Sequence, residues 1–450
     1  MKSFQEYLSY LVSSTEWVML LLIIGGGIFL MIYSGFKPYK YFKHAIDLVS
    51  GKYSKADDPG EVSHLEALSS AVAATVGLGN ISGVAIAIYY GGPGVVFWMW
   101  LTAIIGMCIK FYSASLAILF RKDLGNGILQ GGPMYYISEG LPKVGKGLAA
   151  FFCLAGLVGV LPAFTTNQFT QTLMEVVRPD ETLLNLGEFN WRLIIGITLS
   201  IITSLVIFGG LKKIVQVATA IVPFMVGIYF IAALYIMSAN YTEIIPSFRL
   251  IFSEAFNLKT AIQGGLWGLI IIGIRRAVFS NESGVGLAPM YHGQSKTKEP
   301  IREGLVAMLG PFIDTIIVCT LTALIIIVSK SYLLAETNGI TMTLIAFKHS
   351  LFGVGDILLM VLVAAFALST LFTYSYYGTK CLSFLTDFKI GKWYNVIYIL
   401  SITFAALASV DVVIGLIDLS FALMSIPNMI AIIYLSPRIK EAMNNYFKTI

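Results

Sequence analysis

A cluster of glycine and small polar residues lies inside a long apolar stretch, from Thr75 through Gly77, Gly79 and Asn80 to Gly83. Glycines at this spacing can interrupt a helix, and an interruption frees backbone N–H and C=O groups that hydrocarbon cannot satisfy. Freed N–H groups at the positive end of a half-helix suit a carboxylate, and freed C=O groups at the negative end suit a small cation. One broken helix could therefore bind an amino acid carboxylate and a sodium ion together.

A second glycine cluster, Gly264-Gly265-Leu266-Trp267-Gly268, lies in another apolar stretch further along the chain. Spans interrupted by glycine at matching positions in two halves of a chain are typical of transporters built from inverted repeats. We expect Trp267, beside this predicted break, to form a wall that limits the size of a bound side chain. A core or interface aromatic is the alternative for Trp267. Close helix packing through small residues is the alternative for the glycines, and we favour it for Gly25–Gly27.

The composition defines the surroundings of these clusters. Of the 450 residues, 57% are hydrophobic and only 12% are charged, with a mean hydropathy of +0.81. These values exclude a soluble enzyme and a disordered chain, which carry more charge. Apolar runs of about 20 residues, without strand-like alternation, favour membrane-spanning helices over a β-barrel. We therefore expect a lipid bilayer around the chain and no nucleic-acid partner.

The predicted fold is an all-α integral membrane protein with eleven transmembrane helices. The apolar runs are roughly 17–36, 64–90, 93–120, 146–177, 192–208, 213–238, 259–286, 303–329, 355–380, 393–409 and 411–435. The first run is an extra N-terminal span, and the other ten form a five-plus-five inverted repeat in which spans 1 and 6 are broken. The predicted parts are the extra span (1–36), a cytoplasmic loop (37–63), the first repeat with spans 1–5 (64–238), the second repeat with spans 6–10 (239–435) and a cytoplasmic tail (436–450).

Lysine and arginine indicate the orientation. One set of alternate loops, together with the C-terminal tail, holds 22 of the 30 basic residues, and the opposite set holds seven. This asymmetry places the N-terminus outside the cell and the C-terminus in the cytoplasm of a multi-pass cell-membrane protein. Arg275 and Arg276 are counted with the cytoplasmic loops, and with Glu282 they are interpreted as gating or structural residues. Lys110, inside a span, is interpreted as a snorkelling or structural residue.

The cysteines, histidines and aspartates were also considered as sites of chemistry. The four cysteines lie in or at the ends of apolar runs, so a disulfide framework is not expected. The four histidines are scattered without metal-ligand spacing, and we expect ordinary interfacial residues and no zinc site. No charged or metal-binding cluster indicates an enzyme, and no filter-like loop indicates a channel. Asp314, Asp411 and Asp418 are functional candidates because they lie in or near the membrane, and the sequence does not select among them.

Several sequence blocks resemble a known family. Val76-Gly77-Leu78-Gly79-Asn80 resembles the unwound first helix of sodium-coupled transporters with the leucine-transporter fold. Further blocks resemble the alanine or glycine:cation symporter family, namely Gly91–Trp100, Gly131–Ile137, Arg275–Gly284, Tyr376–Gly378 and Leu423–Asn428. Together these blocks run in order over nearly the whole chain.

The resemblance implies a symporter that couples uptake of small neutral amino acids, such as alanine and glycine, to sodium. Proton coupling is the alternative within the same fold, and a channel is a further alternative. The implied substrate-binding residues are Thr75, Gly77, Gly79, Asn80, Thr165, Gln168, Phe169, Gly265, Trp267 and Phe366. The implied sodium ligands are oxygens of Ala73, Thr75, Val76, Asn80, Phe366, Ser369 and Thr370. For Thr165 and Gln168, hydrogen bonding between helices is an equal alternative. The oligomeric state stays open, and a monomer is compatible with the sequence.

The chain departs from the family pattern at two places. Ser113 stands where relatives often carry an acidic residue, which leaves Lys110 without that partner. Relatives tend to show an Asn–Gln motif in span 3, where this chain has Thr165-Thr166-Asn167-Gln168.

The predicted orientation is testable by chemical labelling. A cysteine added at the N-terminus should react with a membrane-impermeant thiol reagent in intact cells, and one added after Lys448 should not, because only the former faces outward. The reverse pattern of labelling would reject both the orientation and the numbering of the spans.

Overall fold

A computed structural model describes residues 2–55, 57–123, 129–179, 184–257, 265–334, 339–351 and 353–448. Gly264 and the side chain of Asp411, both named above, lie outside the described part. The described chain is almost entirely helical, as predicted, with one short two-stranded antiparallel sheet that pairs β1 (Lys122–Asp123) with β2 (Leu129–Gln130).

The helices of the first half are α1 (Lys2–Leu20), α2 (Gly26–Tyr33), α3 (Lys37–Lys40), α4 (Phe42–Val49), α5 (His64–Thr75), α6 (Val84–Gly91), α7 (Val95–Leu119), α8 (Pro133–Gly140), α9 (Gly145–Gly159), α10 (Ala163–Val177), α11 (Glu188–Ile207) and α12 (Gly210–Ala239). The helices of the second half are α13 (Tyr241–Glu254), α14 (Gly265–Asn281), α15 (Pro289–His292), α16 (Pro300–Ala307), α17 (Leu309–Pro311), α18 (Thr320–Val328), α19 (Gly339–Ser350), α20 (Gly355–Leu385), α21 (Phe388–Gly391), α22 (Tyr394–Leu407) and α23 (Val410–Tyr446). Wider π-helical turns lie at Leu21–Gly25, Gly79–Gly83 and Phe312–Cys319, and a 3₁₀ turn lies at Ser331–Leu333.

Nine helices of the described chain are long and apolar enough to cross a membrane, and ten are if a bent pair counts as one span. The chain is therefore a multi-span membrane protein. The predicted seventh run corresponds to α14, which has 17 described residues. Eleven spans and the inverted repeat stay predictions.

The first predicted break is present. Helix α5 begins with a capping box in which Ser63 and Glu66 satisfy each other's backbone N–H groups. It ends at Thr75, and Val76 leaves the helical region with ψ 89°. The chain re-enters a helix at Gly79, and the two halves are bent by 54°. We call residues 64–91 the first broken span.

The second break lies elsewhere than predicted. Gly265 has a positive φ of 64° and begins a helix that runs without interruption to Asn281. The interruption follows Asn281 instead, where Glu282 has a left-handed φ of 55° and Gly284 and Gly286 also have positive φ. The break predicted at Gly264–Gly268 is therefore not seen within Leu266–Gly268, where glycine lies in a helix interior, and its part at Gly264–Gly265 stays a prediction. We call residues 282–288 the second break.

The loops predicted to be cytoplasmic share one face of the bundle. Lys37 donates to the Asn444 side chain at 2.7 Å, and Arg121 donates to the Ser295 carbonyl at 2.8 Å. Val62 forms a β-bridge with Ser295. These contacts join segments far apart in sequence at what we call the C-terminal face.

The loops predicted to be external meet at the opposite, N-terminal face. There Thr341 donates to Glu175 at 3.0 Å, and Lys330 contacts Glu243 at 3.4 Å. A bundle whose alternate loops meet at opposite ends has the geometry that the charge asymmetry predicts.

A buried carboxylate joins three segments near the C-terminal face. The two oxygens of Glu303 contact Nδ1 of His64 and Nδ1 of His292, each at 2.5 Å. All three side chains are fully buried. The expectation of ordinary interfacial histidines was wrong here, because these two residues hold α5 and α15 against α16.

Glycine also sets the close approach of α20 to α22. A Cβ at Gly378 would lie 1.9 Å from the ring of Tyr394. That ring is buried, and its hydroxyl donates to the Leu157 carbonyl at 2.7 Å. The Tyr394 ring therefore packs directly against Gly378, and its hydroxyl is fixed by the hydrogen bond to Leu157.

Gly378→Ala should lower the stability of the purified protein by about 1–3 kcal/mol, because overpacking forces the Tyr394 ring to shift. Thermal unfolding in detergent measures the change. Gly227→Ala is the matched control, since a Cβ there meets nothing within 4 Å, and it should leave stability equal or higher. Equal melting temperatures for the parent and Gly378→Ala would contradict this account of the packing.

Candidate functional site

A small central cavity lies at the break of the first broken span. It has about 40 Å³ of space for the centres of water-sized molecules, and is lined by Ala74, Thr75, Gly77, Leu78, Gly79, Gly159, Leu161, Pro162, Phe164, Thr165, Phe279, Thr370, Tyr374, Tyr398, Ile417 and Phe421. Four residues predicted to bind substrate are in this lining, namely Thr75, Gly77, Gly79 and Thr165. The wall combines interrupted backbone on one side with aromatic and aliphatic side chains on the other.

Three phenylalanine rings form one side of the cavity. Phe164 and Phe279 meet edge to face with ring centroids 5.0 Å apart, and Phe279 contacts Phe421 at 6.1 Å. Phe279 and Phe421 also line a second small cavity beside Glu16 and Arg275. The pair of rings therefore separates the central cavity from the space on the side of α1.

An oxygen cluster lies beside the cavity, where α20 meets the end of α5. The Thr370 hydroxyl oxygen lies 3.4 Å from the Ala73 carbonyl and 3.4 Å from the Ala74 carbonyl. It also lies 3.1 Å from the carbonyl of Phe366, to which Ser369 donates at 2.9 Å. The structure thus brings together Ala73, Phe366, Ser369 and Thr370, as predicted for a sodium site. The Ala74 carbonyl, which was not predicted, also belongs to the cluster, and the predicted role of the Val76 carbonyl stays a prediction.

The cluster has more acceptors than hydrogens. The single hydroxyl proton of Thr370 can be given to only one of its three neighbouring carbonyls. The Phe366 carbonyl also accepts from Ser369, so at least one of the Ala73 and Ala74 carbonyls receives no hydrogen from Thr370 or Ser369, which is unfavourable unless something positive lies beside it. Neutral oxygen ligands of this kind suit a hard cation such as Na⁺.

The side chain of Asn80, predicted to bind substrate and sodium, makes hydrogen bonds to two other segments. Its Oδ1 accepts from the N–H of Gly77 at 2.9 Å, so it occupies a backbone donor that was expected to meet substrate. Its Nδ2 donates to Oδ1 of Asp314 at 2.7 Å. Asn80 is fully buried and does not line the central cavity. It joins the break to the π-helical turn at Phe312–Cys319.

Asp314 is the centre of a buried network. Its Oδ2 accepts from Ser280 at 2.8 Å and from Thr315 at 2.7 Å, and its Oδ1 accepts from Asn80. Its side chain is fully buried. The sequence marked this carboxylate as a candidate, but the neighbours that would identify it lie on α14 and on the first broken span. Single π-helical turns often occur at functional sites, and Asp314 and Asn80 each lie on one.

Other predicted substrate residues lie outside the central cavity. Gln168 lines a separate space toward the N-terminal face, with Arg275 and Arg276. Phe169 is buried, and the side chain of Phe366 packs edge to face on Tyr229 at 5.7 Å. Trp267 is 72% exposed. The prediction that Trp267 forms the cavity wall was therefore wrong in this structure, because it lies near the start of α14 while the cavity lies near its end. Gly265, the first residue of α14, lies at the same distant end.

Arg275 and Arg276 also differ from the sequence interpretation. Arg275 forms a bidentate ion pair with Glu16 on α1, and the two residues border the same space as Gln168. The two arginines are therefore inside α14 rather than in a loop of the C-terminal face. The asymmetry of the remaining basic residues does not depend on them. Asp418 borders the same small cavity as Arg275 and Glu16.

Sequence reasoning missed most of the cavity wall. Phe279 lies within a block that resembles the family, and Phe164 directly precedes Thr165, so both were near recognised positions. Tyr374 and Tyr398 carried no motif. Only the tertiary structure shows that these two tyrosines line the central cavity.

A bundle of long apolar helices, with a broken span, a small central cavity and an oxygen cluster beside it, is typical of ion-coupled secondary transporters. The sequence comparisons agree with this class. The model of the sodium:alanine symporter family matches residues 1–450, and this chain belongs to that family. It is 39% identical over 430 residues to the sodium/alanine symporter AgcS of Methanococcus maripaludis, a match that covers 94% of this chain and 93% of the relative.

Two solved structures share the fold. One is MhsT in complex with L-phenylalanine, which matches with a TM-score of 0.56 and 15% identity over 85% of this chain and 98% of that one. The other is a Na⁺-coupled sialic acid symporter in a substrate-bound outward-open state. It matches with a TM-score of 0.54 and 14% identity over 96% of this chain and 98% of that one.

The two glycines of the break should differ in their sensitivity to substitution. A Cβ at Gly77 would lie 2.5 Å from the Thr370 hydroxyl oxygen, whereas one at Gly79 would meet Phe279 at an ordinary 3.4 Å. Gly77→Ala should therefore raise the sodium concentration for half-maximal uptake several-fold, and Gly79→Ala should change it much less. Sodium titrations of amino acid uptake measure both. A larger effect at Gly79 would mean that the cluster at Thr370 is not where sodium acts.

Proposed function

We propose that this protein is a sodium-coupled symporter that imports small neutral amino acids, alanine and glycine, by alternating access. The observation that carries the proposal is that the oxygen cluster and the central cavity share residues. Ala74, Gly77 and Thr370 line the cavity, and Ala74 and Thr370 also contribute oxygens to the cluster. An ion held at these oxygens would order the backbone that forms one wall of the substrate site, so binding of each would favour binding of the other.

The size of the cavity supports a small substrate. One buried water needs roughly 10–15 Å³ of such space, so the cavity could hold about three waters. Three waters take up about 90 Å³ of liquid volume, which suits an amino acid with a side chain as small as a methyl group. The rings of Phe164, Phe279 and Phe421 would contact the side chain, and the interrupted backbone would face the charged groups. The printed name of the archaeal relative, a sodium/alanine symporter, supports the same substrate.

Sodium would be held by the carbonyl oxygens of Ala73, Ala74 and Phe366 together with the hydroxyls of Ser369 and Thr370. A second cation position next to the substrate would involve Thr75 and Asn80, as the family resemblance implies, and Asp314 adds a carboxylate there. Thr165 and Gly79 would complete the substrate wall.

The larger organisation is part of the proposal. We infer that residues 64–238 and 239–435 are inverted repeats, each containing one break. The two breaks lie side by side, since a Cβ at Gly79 would be 4.0 Å from the Cα of Ser280. We also propose that the N-terminal face is external and the C-terminal face cytoplasmic.

Uptake of radiolabelled alanine into proteoliposomes tests the function. An inward sodium gradient should drive saturable accumulation that glycine inhibits and that leucine inhibits less. An apolar pocket discriminates by about 1–3 kcal/mol per methylene, so inhibition should fall gradually with side-chain size. Uptake that needs only a proton gradient would favour the proton-coupled alternative, and flux without saturation would favour a channel.

The double variant Ser369→Ala with Thr370→Ala should raise the sodium concentration for half-maximal uptake at least several-fold, because two ligand oxygens are lost. Thr373→Ala is the matched control. Its hydroxyl donates within α20, to the Ser369 carbonyl at 2.8 Å, so its loss removes no oxygen from the proposed ligand set. An unchanged sodium requirement in the double variant would remove this sodium site.

A further inference from the structure

A large cavity lies at the C-terminal face, where Glu61 in its wall directly precedes the bridge between Val62 and Ser295. It has about 650 Å³ of space for the centres of water-sized molecules. Its walls come mainly from the connection between α11 and α12, the end of α20, α21 and the start of α22. Its lining shares no residue with that of the central cavity, so the two are separate spaces.

A buried lysine lies in the wall of this cavity. Lys380, near the end of α20, is 5% exposed and donates to the side-chain oxygen of Gln130. The Gln294 amide, in the orientation that satisfies both of its ends, offers a second oxygen at 3.0 Å. Both partners are neutral, and none of the ion pairs among the described residues includes Lys380. A buried charge without a counter-charge is costly, and such a lysine marks a candidate ligand site.

Three side chains of the wall have N–H or O–H donors that no acceptor of the described chain uses. The ammonium group of Lys380 has three donors, and the two glutamine oxygens accept two of them. The hydroxyl of Tyr376 is buried without a hydrogen-bond partner, and the centre of its ring lies 5.2 Å from the Lys380 ammonium. Asn395 accepts at its oxygen from Thr379 at 3.0 Å, which leaves its N–H donors for a ligand. Donors gathered along one cavity suit an anionic oxygen group such as a phosphate.

The charge around the cavity is mainly positive. Glu61 is the acidic residue of the lining, and Lys380 and Lys392 are its basic residues. The segments that form the rim add three exposed lysines, Lys212, Lys213 and Lys389. Asp387, also in the rim, accepts from the first N–H groups of α21. The surplus of lysine attracts an anion to the mouth of the cavity.

Large apolar side chains border the same cavity. Phe208 is 63% exposed, Phe388 is 44% exposed and Trp393 is 68% exposed. They lie at the ends of α11, α20 and α22, at the level where aromatic residues mark the boundary between hydrocarbon and headgroups. An inorganic anion would leave these side chains uncovered, whereas an acyl chain would cover them. A buried cation behind an apolar rim therefore fits an anionic amphiphile.

We propose that this cavity binds one anionic phospholipid from the leaflet at the C-terminal face. Its phosphate would accept from Lys380, Tyr376 and Asn395, and its acyl chains would lie along Phe208 and Trp393. Basic pockets between spans on the cytoplasmic side bind lipid headgroups in this way. The inference goes beyond the proposed function, since it holds for any substrate and any coupling ion.

The proposed lipid site adjoins elements that form the sodium cluster. Lys380 and Tyr376 lie on α20, the helix that carries Thr370. The ring of Tyr376 stacks on that of Tyr291 at 4.7 Å, and the Tyr291 hydroxyl donates to the Thr373 carbonyl at 2.8 Å. Tyr291 lies on α15, which follows the second break. A phospholipid at Lys380 would therefore strengthen the packing of α20 against α15.

Thermal unfolding of the purified, delipidated protein in detergent tests the proposal. Dioleoylphosphatidylglycerol, the anionic probe, should raise the melting temperature of the parent by a few degrees, because a ligand that binds the folded state stabilises it. Dioleoylphosphatidylcholine has the same chains without net charge, and it should raise the melting temperature much less. Glycerophosphate at the same concentration supplies the phosphate without chains and should cause no shift.

Two substitutions at Lys380 separate its charge from its shape. Lys380→Gln should weaken the binding of phosphatidylglycerol about tenfold or more, since it removes a charged hydrogen bond to the phosphate. Lys380→Arg keeps the charge and should restore most of the binding. Lys440→Gln is the matched control and should bind like the parent. That lysine also lies over a tyrosine ring, 3.9 Å from the centre of Tyr33, but it does not line this cavity.

A further variant decides the question if Lys380→Gln does not fold, as judged by size-exclusion chromatography. Phe208→Ala changes an exposed side chain of the rim, so the fold should be kept. It should weaken the binding of phosphatidylglycerol several-fold, because the acyl chains lose part of their contact. Native mass spectrometry of the parent should also detect one retained phosphatidylglycerol per chain.

Three results would overturn the lipid site. They are equal stabilisation by phosphatidylglycerol and phosphatidylcholine, equal binding by Lys380→Gln and the parent, and a shift with glycerophosphate as large as with the lipid. The last result would indicate a site for small anions instead. None of these measurements requires transport, so their failure leaves the proposed function intact, whereas a lack of sodium-driven uptake would reject that function and leave the lipid site standing.

Discussion

The interruption of the first broken span at Val76–Leu78 is the constraint on which the other features of the site depend. Backbone groups freed inside a membrane have no water to bind, and each unsatisfied group costs several kcal/mol. The structure meets this cost with side chains from other helices. Asn80 accepts from Gly77, and Thr370 contacts the carbonyls of Ala73 and Ala74. A local break in one helix therefore determines which hydrogen-bonding groups the neighbouring helices must provide.

These partners extend the network outward in steps. Because Asn80 turns its oxygen toward Gly77, its amide nitrogen must find an acceptor, and it finds Asp314. Asp314 in turn takes hydrogens from Ser280 and Thr315. The break is thus joined to the end of α14, and the second break begins two residues after Ser280. Surplus acceptors remain at the cluster around Thr370, and a cation bound there would compensate them.

The two breaks were not equally visible in the sequence. At the first, glycines alternate with small polar residues, and the polar residues distinguish a ligand site from close packing. At the second predicted break, the cluster Gly264–Gly268 contains no hydroxyl or amide side chain, and its described part lies in a helix that begins at Gly265. The real interruption follows Ser280 and Asn281, where polar residues precede a left-handed residue. The presence of polar partners, more than glycine alone, marks where a span can open.

Hydropathy and charge determined the class of this protein, its long helices and which loops share a face, because these follow from the free energy of transferring each residue into lipid. The motif around Gly77 and the hydroxyl pair at Thr370 could also be predicted, since each lies within a single segment. Only the tertiary structure decided which segments meet. Ala74 as well as Ala73 contacts Thr370, Trp267 lies away from the cavity, and Glu282 accepts from Tyr374 on α20. A sequence specifies which face of a helix a residue occupies, but the rotation and depth of each helix depend on packing against all of its neighbours.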